Sequence, residues 1–212
     1  MDPVAKTTDH KDTAKGRQTK EAILTIALQL FQDKGFEKTT MRDIAQEANM
    51  SPGASYYYFK SKDDLILAYY LRAQKLQTDY AKNLFAETND FKTRMKKLLR
   101  YKLEEMKPYH NFMGALFAKA GDPASLLSPF NENTKSIRDA NIELFRELFQ
   151  TSNLKVNKEF VARLPQLLWM FQMGIIMHWI HDPSPEQKRS DTLINQGVDL
   201  MVLLNRVLNL PL

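Results

Sequence analysis

Three consecutive tyrosines, Tyr56, Tyr57 and Tyr58, stand shortly before the cation of Lys62. A tyrosine hydroxyl can donate a hydrogen bond to a phosphate while its ring packs on protein, and a lysine ammonium attracts anions. The residues in front of them, Ser51–Ser55, read SPGAS and carry only small side chains. Small side chains let the N–H groups of a helix N-terminus approach phosphates and base edges closely. The pattern predicts a phosphate-binding cluster around this small-residue tip, and a core of packed rings is the alternative.

Short helices must position this tip, because capping signals precede and include it. Residues 17–34 carry apolar side chains at helical spacing and predict a first helix. Thr40, with Asp43 three residues on, predicts the capped start of a second helix. Ser51 and Pro52 predict the cap and first residue of a third helix, which runs to about Phe59. Two short helices joined by a tight turn make a helix-turn-helix, whose second helix can enter the major groove of DNA.

The remainder of the chain predicts further helices and no convincing strand. Only 7 of 212 residues are glycine, which favours helix throughout. The predicted helices cover residues 62–86, 90–106, 109–120, 129–150, 157–181 and 185–208. We therefore expect an all-α fold with a disordered basic arm over 1–16, a helix-turn-helix domain over 17–62 and a larger helical domain over 63–212.

Composition and missing motifs exclude several classes of protein. The chain has no cysteine, a net charge of +5, no apolar N-terminal run and no apolar stretch of about 18 residues. These features favour a cytoplasmic protein with no membrane partner. The chain has no glycine-rich phosphate loop and no nucleophile elbow, so we expect no enzyme and no cofactor. His178 and His181 have a spacing that can chelate a metal, but we expect no metal site.

Aromatic and methionine side chains crowd the second predicted domain. Their spacing cannot distinguish a packed core from the lining of an apolar cavity, and methionine adapts to ligands of varied shape. The candidate ligand-binding residues are Met106, Tyr109, Phe112, Met113, Phe117, Phe145, Trp169, Met173 and Met177. A small apolar or amphipathic effector would suit them, with its polar end near Tyr109, Gln166, Gln172 or His178.

Two further helices carry patterns that suggest a surface role. The basic residues of helix 90–106, from Lys92 to Lys102, predict a solvated charged face, with a second nucleic-acid surface as the alternative. Helices 157–181 and 185–208 carry more apolar surface than one subunit needs, and Leu200 and Leu204 lie on one stripe. These two helices predict a four-helix bundle between two subunits of a homodimer.

The stretch TTMRDIAQEANMSPGASYYYFKSKDDL, from Thr39 to Leu65, resembles the DNA-binding signature of the TetR family of bacterial transcriptional regulators. The shared features are the Thr40 start, DIA at 43–45, Ala48, S-x-G at 51–53, Y-x-Y-F at 56–59, SK at 61–62 and Leu65. The upstream AILTIALQLFQDKGFEKTT also resembles the first helix and loop of that family. Tyr58 departs from the pattern, because the family often has histidine there, and Ser55 stands where an apolar residue is frequent.

The resemblance implies an all-helical, dimeric regulator with a DNA-reading head and a larger effector domain. By position, it implies that Thr40, Tyr56, Tyr58 and Lys62 contact phosphates. It makes Arg42, Ser51, Pro52, Ala54, Ser55 and Tyr57 candidates for reading bases. Arg17 would reach a phosphate or the minor groove, and Gly53 allows the close approach. The resemblance implies a ligand-responsive regulator, more often a repressor than an activator, on a palindromic double-stranded DNA operator.

Two other classes of protein stay open from the residues alone. One is an all-helical ligand-binding or adaptor protein whose head is only a packing module, and the other is a small helical enzyme. The adaptor hypothesis would gain if the protein showed no salt-sensitive DNA binding. The enzyme hypothesis has no positioned catalytic residues in the sequence.

Overall fold

The computed structural model describes residues 13–208, with the side chain of Leu208 excepted. Every regular element in that range is helical, which confirms the all-α fold. The α-helices are α1 (Ala14–Lys34), α2 (Met41–Glu47), α3 (Pro52–Tyr58), α4 (Lys62–Glu87), α5 (Phe91–Met106), α6 (His110–Ala120), α7 (Lys135–Gln150), α8 (Lys158–Val161), α9 (Leu164–Ile180) and α10 (Lys188–Leu208). Short 3-10 helices, Lys107–Tyr109, Glu132–Thr134 and Pro185–Gln187, lead into α6, α7 and α10. None of the described helices is long and apolar enough to cross a membrane.

The chain divides into two compact units, and the division falls inside α4, between Tyr69 and Tyr70. From sequence, the domain boundary is predicted between residues 62 and 63. The predicted arm over 1–16 lies mostly outside the described residues. Its last part differs from the prediction, because Thr13 caps α1 by accepting a hydrogen bond from the N–H of Gly16.

The first unit is a small helical core around α1. The side chains of Leu28, Phe31, Ile44 and Ala45 are fully buried in it. Gly35 ends α1 with a positive φ of 87°, a conformation that glycine adopts without strain. Phe36 then folds back onto α1, and its ring meets that of Phe31 edge-on at 5.0 Å between centroids. The predicted stop at Gly35 and return of Phe36 are thus confirmed.

In the second unit, α5, α7 and α9 pack together. The buried side chain of Arg94 on α5 forms hydrogen bonds to the ends of two neighbouring helices. Its guanidinium donates to the carbonyls of Phe85 at 2.7 Å and Leu148 at 3.4 Å, and to Thr151 Oγ1 at 2.7 Å. It also donates to the carbonyl of Thr88 at 2.5 Å. These acceptors lie at or just beyond the C-terminal ends of α4 and α7, where helix carbonyls lack partners within their own helix. Arg94 therefore caps two helices at once.

The turn between α9 and α10 is organised by the buried carboxylate of Asp182. Its Oδ1 accepts hydrogen bonds from the N–H and hydroxyl of Ser184, and its Oδ2 accepts from those of Ser190. Although burial acts to raise the pKa of Asp182, these hydrogen bonds hold it well below the usual range. Over 157–181 the sequence predicts a helix that Pro165 either kinks or begins. The structure has two helices there, α8 and α9, and Pro165 lies in the first turn of α9, which confirms it as the start of the apolar helix.

Candidate nucleic-acid interface

The turn between α2 and α3 is built by side chains that cap both helices. Thr40 Oγ1 accepts from the N–H of Asp43 at 3.2 Å, and Asp43 Oδ2 accepts from the N–H of Thr40 at 2.8 Å. The hydrogen bond from the Thr40 backbone chiefly lowers the pKa of Asp43. Asn49 turns the chain with a left-handed φ of 52°, and Ser51 Oγ then accepts from the N–H of Ala54. Both caps predicted from the sequence are confirmed.

The small-residue tip at the start of α3 is open to solvent. Arg42, Ser51, Pro52 and Gly53 are all exposed. Among the described residues, a Cβ atom built on Gly53 would meet no atom within 4 Å apart from its chain neighbours and the backbone of its own helix, and the backbone of Gly53 has no positive φ. The described part of the fold therefore does not require glycine at position 53. Without a side chain at this position, the surface of the tip stays open.

The three tyrosines and Phe59 differ in how far they are buried. Tyr56 and Tyr57 keep 46% and 43% of their surface exposed, so they do not form a core. Tyr58 is half-buried, and its ring meets Tyr57 edge-on at 5.2 Å. Phe59 is 2% exposed and packs in the core of the first unit. Tyr56 and Tyr57 thus keep ring surface open to solvent behind the tip, where a hydroxyl can meet a phosphate.

One predicted DNA contact needs correction, and a second, the phosphate contact of Lys62, stays a prediction although its ammonium has a partner inside the protein. Ser55 is fully buried, and its hydroxyl donates to the carbonyl of Pro52 at 3.2 Å, so the prediction that it reads bases is wrong. Lys62 has an internal role, because its Nζ donates to the carbonyl of Phe36 at 2.6 Å and lies 4.3 Å from the centroid of that ring. Arg17 and Thr40 are exposed, and Ala54 is half-buried.

The candidate ligand-binding residues divide into buried, partly buried and exposed groups. Met106, Phe112, Met113, Phe145 and Trp169 are buried, and Tyr109, Phe117 and Met173 are partly buried. Met177 is 50% exposed on α9, so we correct its placement in an interior cavity. Gly174 is exposed as well, and enlarging it would not fill interior space.

His178 and His181, near the end of α9, both have hydrogen-bonding partners within the chain. His178 Nδ1 lies 3.0 Å from Ser190 Oγ, and His181 Nδ1 lies 2.9 Å from the carbonyl of Met177. No group of three or more metal-binding side chains lies together among residues 13–208. Of the predicted polar contacts for an effector, Gln166 is exposed whereas Gln172 is buried.

The basic residues of α5 other than Arg94 lie on a partly exposed face, as the sequence predicts, and several of them pair with α10. Lys92 and Lys96 both pair with Asp199 of α10, at 2.9 and 3.0 Å. Arg100 pairs with Asp191 of α10 at 2.6 Å. Lys102 lies one turn from buried Leu98 and Met106, and burial lowers the pKa of its ammonium to about 8. The sequence signal that could have predicted this pairing is the presence of Asp191 and Asp199, which are eight residues apart on α10.

An apolar face runs along the surfaces of α9 and α10. On α9, Leu167, Met170 and Met177 are each about half exposed, and Gly174 lies between them. On α10 the exposed members are Leu200, Leu203, Leu204 and Val207, with exposures from 51% to 57%. Their recurrence at three- and four-residue steps puts them on one side of each helix. A contiguous apolar surface of this kind is typical of a site of protein association.

A helix-turn-helix with an exposed small-residue tip, followed by a larger helical unit with an apolar face, defines the class of helix-turn-helix regulators. The family described as "Tetracyclin repressor-like, C-terminal domain" matches residues 94–209, more than half of the chain. The family described as "Bacterial regulatory proteins, tetR family" matches residues 23–69. The chain belongs to the TetR family.

Individual relatives share the head in sequence and the whole fold in structure. The HTH-type transcriptional regulator YerO of Bacillus subtilis is 45% identical over 51 residues, which are 24% of this chain and 18% of the length of YerO. The TetR regulator from Nitrosomonas europaea superposes with a TM-score of 0.68 at 15% identity, over 86% of this chain and 97% of that one. Thermus thermophilus FadR, solved with lauroyl-CoA, has a TM-score of 0.63 at 18% identity over 87% and 93% of the two chains.

Proposed function

We propose that the protein is a homodimeric repressor that binds a palindromic operator and is released by a small effector. The observation that carries the proposal is the exposed tip of α3, where a Cβ atom on Gly53 would have open space among the described residues. Membership of the TetR family supports the same function. Arg42 and Tyr57 would read base edges together with Ser51 and Pro52, while Thr40, Tyr56 and Tyr58 would bind phosphates.

The operator can be found by selecting and sequencing bound fragments of the organism's own genome. We expect a palindromic motif with half-sites centred about 34–36 Å apart or somewhat more. Arg42→Ala should relax base preference at one or two positions of each half-site, since a bidentate arginine–guanine contact discriminates by about 1–3 kcal/mol. An unchanged motif would reduce Arg42 to a backbone contact. If no fragment is enriched and binding shows no salt dependence, the adaptor hypothesis is favoured instead.

We propose that the apolar face of α9 and α10 joins two subunits. Leu200→Glu would place a charge in the centre of that interface, so we expect monomers in sedimentation analysis and loss of high-affinity operator binding. Arg206→Glu is the matched control, because Arg206 is exposed on α10 but lies off the apolar face by helical periodicity. A folded Leu200→Glu protein that remained dimeric would refute this interface.

We propose that the effector binds in the second unit and acts on the head through α4, which contributes residues to both units. The ligand must bind the DNA-incompetent state more tightly, since equal affinity for both states shifts nothing. A coupling of about 1–3 kcal/mol would weaken operator binding roughly 5–150-fold. The buried aromatic and methionine residues support an apolar or amphipathic effector, and the lauroyl-CoA bound to the similar FadR fold supports a ligand with a hydrocarbon tail.

A further inference from the structure

A cluster of glutamines lies inside the second unit, on helices α4 and α9. Gln74 and Gln77 are three residues apart on α4 and therefore share a side of that helix. They are 7% and 0% exposed, and Gln172 of α9 is 2% exposed. Gln77 Nε2 donates to Gln172 Oε1 at 2.6 Å, and Gln74 Nε2 donates to Thr78 Oγ1 at 3.2 Å.

Two oxygens of this cluster, Gln74 Oε1 and Gln77 Oε1, are buried atoms that accept no hydrogen bond among the described residues. Each of these amides has two polar ends and uses one. Exchanging the amide oxygen and nitrogen would leave a donor instead of an acceptor unused, so the orientation of the amides sets the polarity of the site. Native proteins rarely leave buried polar groups unpaired, because the lost hydration is not replaced. Two such groups one helical turn apart indicate a partner from outside the chain.

The surroundings of these oxygens are largely apolar. Ala73 and Ala81, which are buried, lie one turn to either side of Gln77 on α4. On α9, Trp169 and Ile176 flank Gln172 at helical spacing and are 3% and 4% exposed. A few polar atoms set among apolar walls are typical of a small-molecule site.

We propose that Gln74 and Gln77 bind the polar head of an amphipathic effector, and that this head carries a hydrogen-bond donor such as a hydroxyl group. The assignment rests on the proposed function, in which the second unit binds an effector. Gln172 is a positioning residue, because its bond to Gln77 Nε2 leaves the carbonyl oxygen of Gln77 for the ligand. With the amides oriented as they are in the structure, a carboxylate head would face two carbonyl oxygens and accept nothing from them, so this orientation selects against it.

Three probes of equal chain length test the assignment: 1-decanol, 1-methoxydecane and decanoate. Their affinities for the full chain are measured by calorimetry and by the fluorescence of the buried Trp169 and Trp179. We expect the wild type to bind the alcohol about five- to tenfold more tightly than the ether, as befits a neutral hydrogen bond, and the carboxylate least tightly. Gln77→Leu should remove the preference for the alcohol while the ether binds as before.

Controls separate head-group recognition from a structural role. Gln166→Leu makes the same change at an exposed position of α9 and should keep the preference. Gln74→Leu provides the same test if Gln77→Leu does not fold. The proposal would be overturned if Gln77→Leu and Gln74→Leu both kept the preference of the wild type for the alcohol. It would also be overturned if none of the three probes showed saturable binding.

Operator binding measured in parallel separates this proposal from the proposed function. A protein that selects the alcohol through Gln77 but binds no operator would keep the head-group site and lose the repressor function. A protein that binds its operator and shows no dependence on Gln74 or Gln77 for any probe would keep the function and lose the site.

Discussion

The two cationic regions of the molecule differ in what surrounds them. Helix α5 carries the denser set of basic residues, yet Arg94 is buried against carbonyls, and Lys92, Lys96 and Arg100 pair with carboxylates of α10. The helix-turn-helix has fewer basic residues, but Arg42 is exposed next to the small-residue tip. The density of lysine and arginine therefore does not identify a nucleic-acid surface. The partners of each charge within the chain decide whether it is available to DNA.

The largest effect should come from the most enclosed of these cations. Arg94→Met would remove a guanidinium that donates to three carbonyls and one hydroxyl, and would leave the buried carbonyls without partners. We expect a loss of about 3 kcal/mol in the free energy of unfolding, measured in urea. Lys97→Met, at an exposed position of the same helix, should change that free energy by less than about 0.5 kcal/mol. Equal unfolding free energies of Arg94→Met and Lys97→Met would contradict the claim that the buried and the exposed cations of α5 differ in their contribution to stability.

The opposite behaviour is expected at the tip of α3, where a substitution should change the affinity for DNA and leave the free energy of unfolding nearly the same. Gly53→Leu adds a side chain whose Cβ atom has open space among the described residues, and glycine is a poor helix former, so the unfolding free energy should hold or rise slightly. Affinity for the operator should fall at least about tenfold in fluorescence anisotropy, because the new side chain occupies the space needed for close approach. Ala86→Leu makes a small-to-large change at an exposed position of α4 and should leave affinity unchanged. Normal operator binding by Gly53→Leu would show that the tip does not approach DNA.

The smallest effect should come from the surface pairs of α5. A hydrogen bond from Arg100 is the main cause that lowers the pKa of Asp191 below 3.8. Asp191→Asn should cost only about 0.5 kcal/mol at pH 7, because solvent screens the pair. A lowered folded-state pKa stabilises the protein above the unfolded value and loses that contribution as pH falls through the folded value. The difference in unfolding free energy between wild type and Asp191→Asn should therefore shrink below about pH 4.

Local signals predicted much of the fold and of the tip. The capping residues Thr40, Asp43 and Ser51 bond to groups within one helical turn, so their roles can be predicted from spacing alone. The burial of Ser55 could not be predicted from spacing. A small polar residue in a short helix can lie on the buried or the exposed side, and its neighbours in space determine which.

Long-range partners account for what the sequence did not predict. Arg94 and Lys96 are two residues apart on α5, yet the first meets the ends of α4 and α7 and the second meets α10. Gln77 and Gln172 are 95 positions apart, and no local rule pairs them. The same limit explains the misplacement of Met177, since an apolar residue on a strongly apolar helix has no local signal for its direction.

The Asp182 turn has a consequence for the order of folding. All of its hydrogen bonds join residues at most eight positions apart, so closing this loop costs little chain entropy. Contacts that are local in sequence form early and fast. We expect α9 and α10 to associate as a helical hairpin before the proposed second subunit binds. Each newly made chain would then present its apolar face to solvent for a time, and the rate of encounter with another copy would limit how long that surface stays open to aggregation.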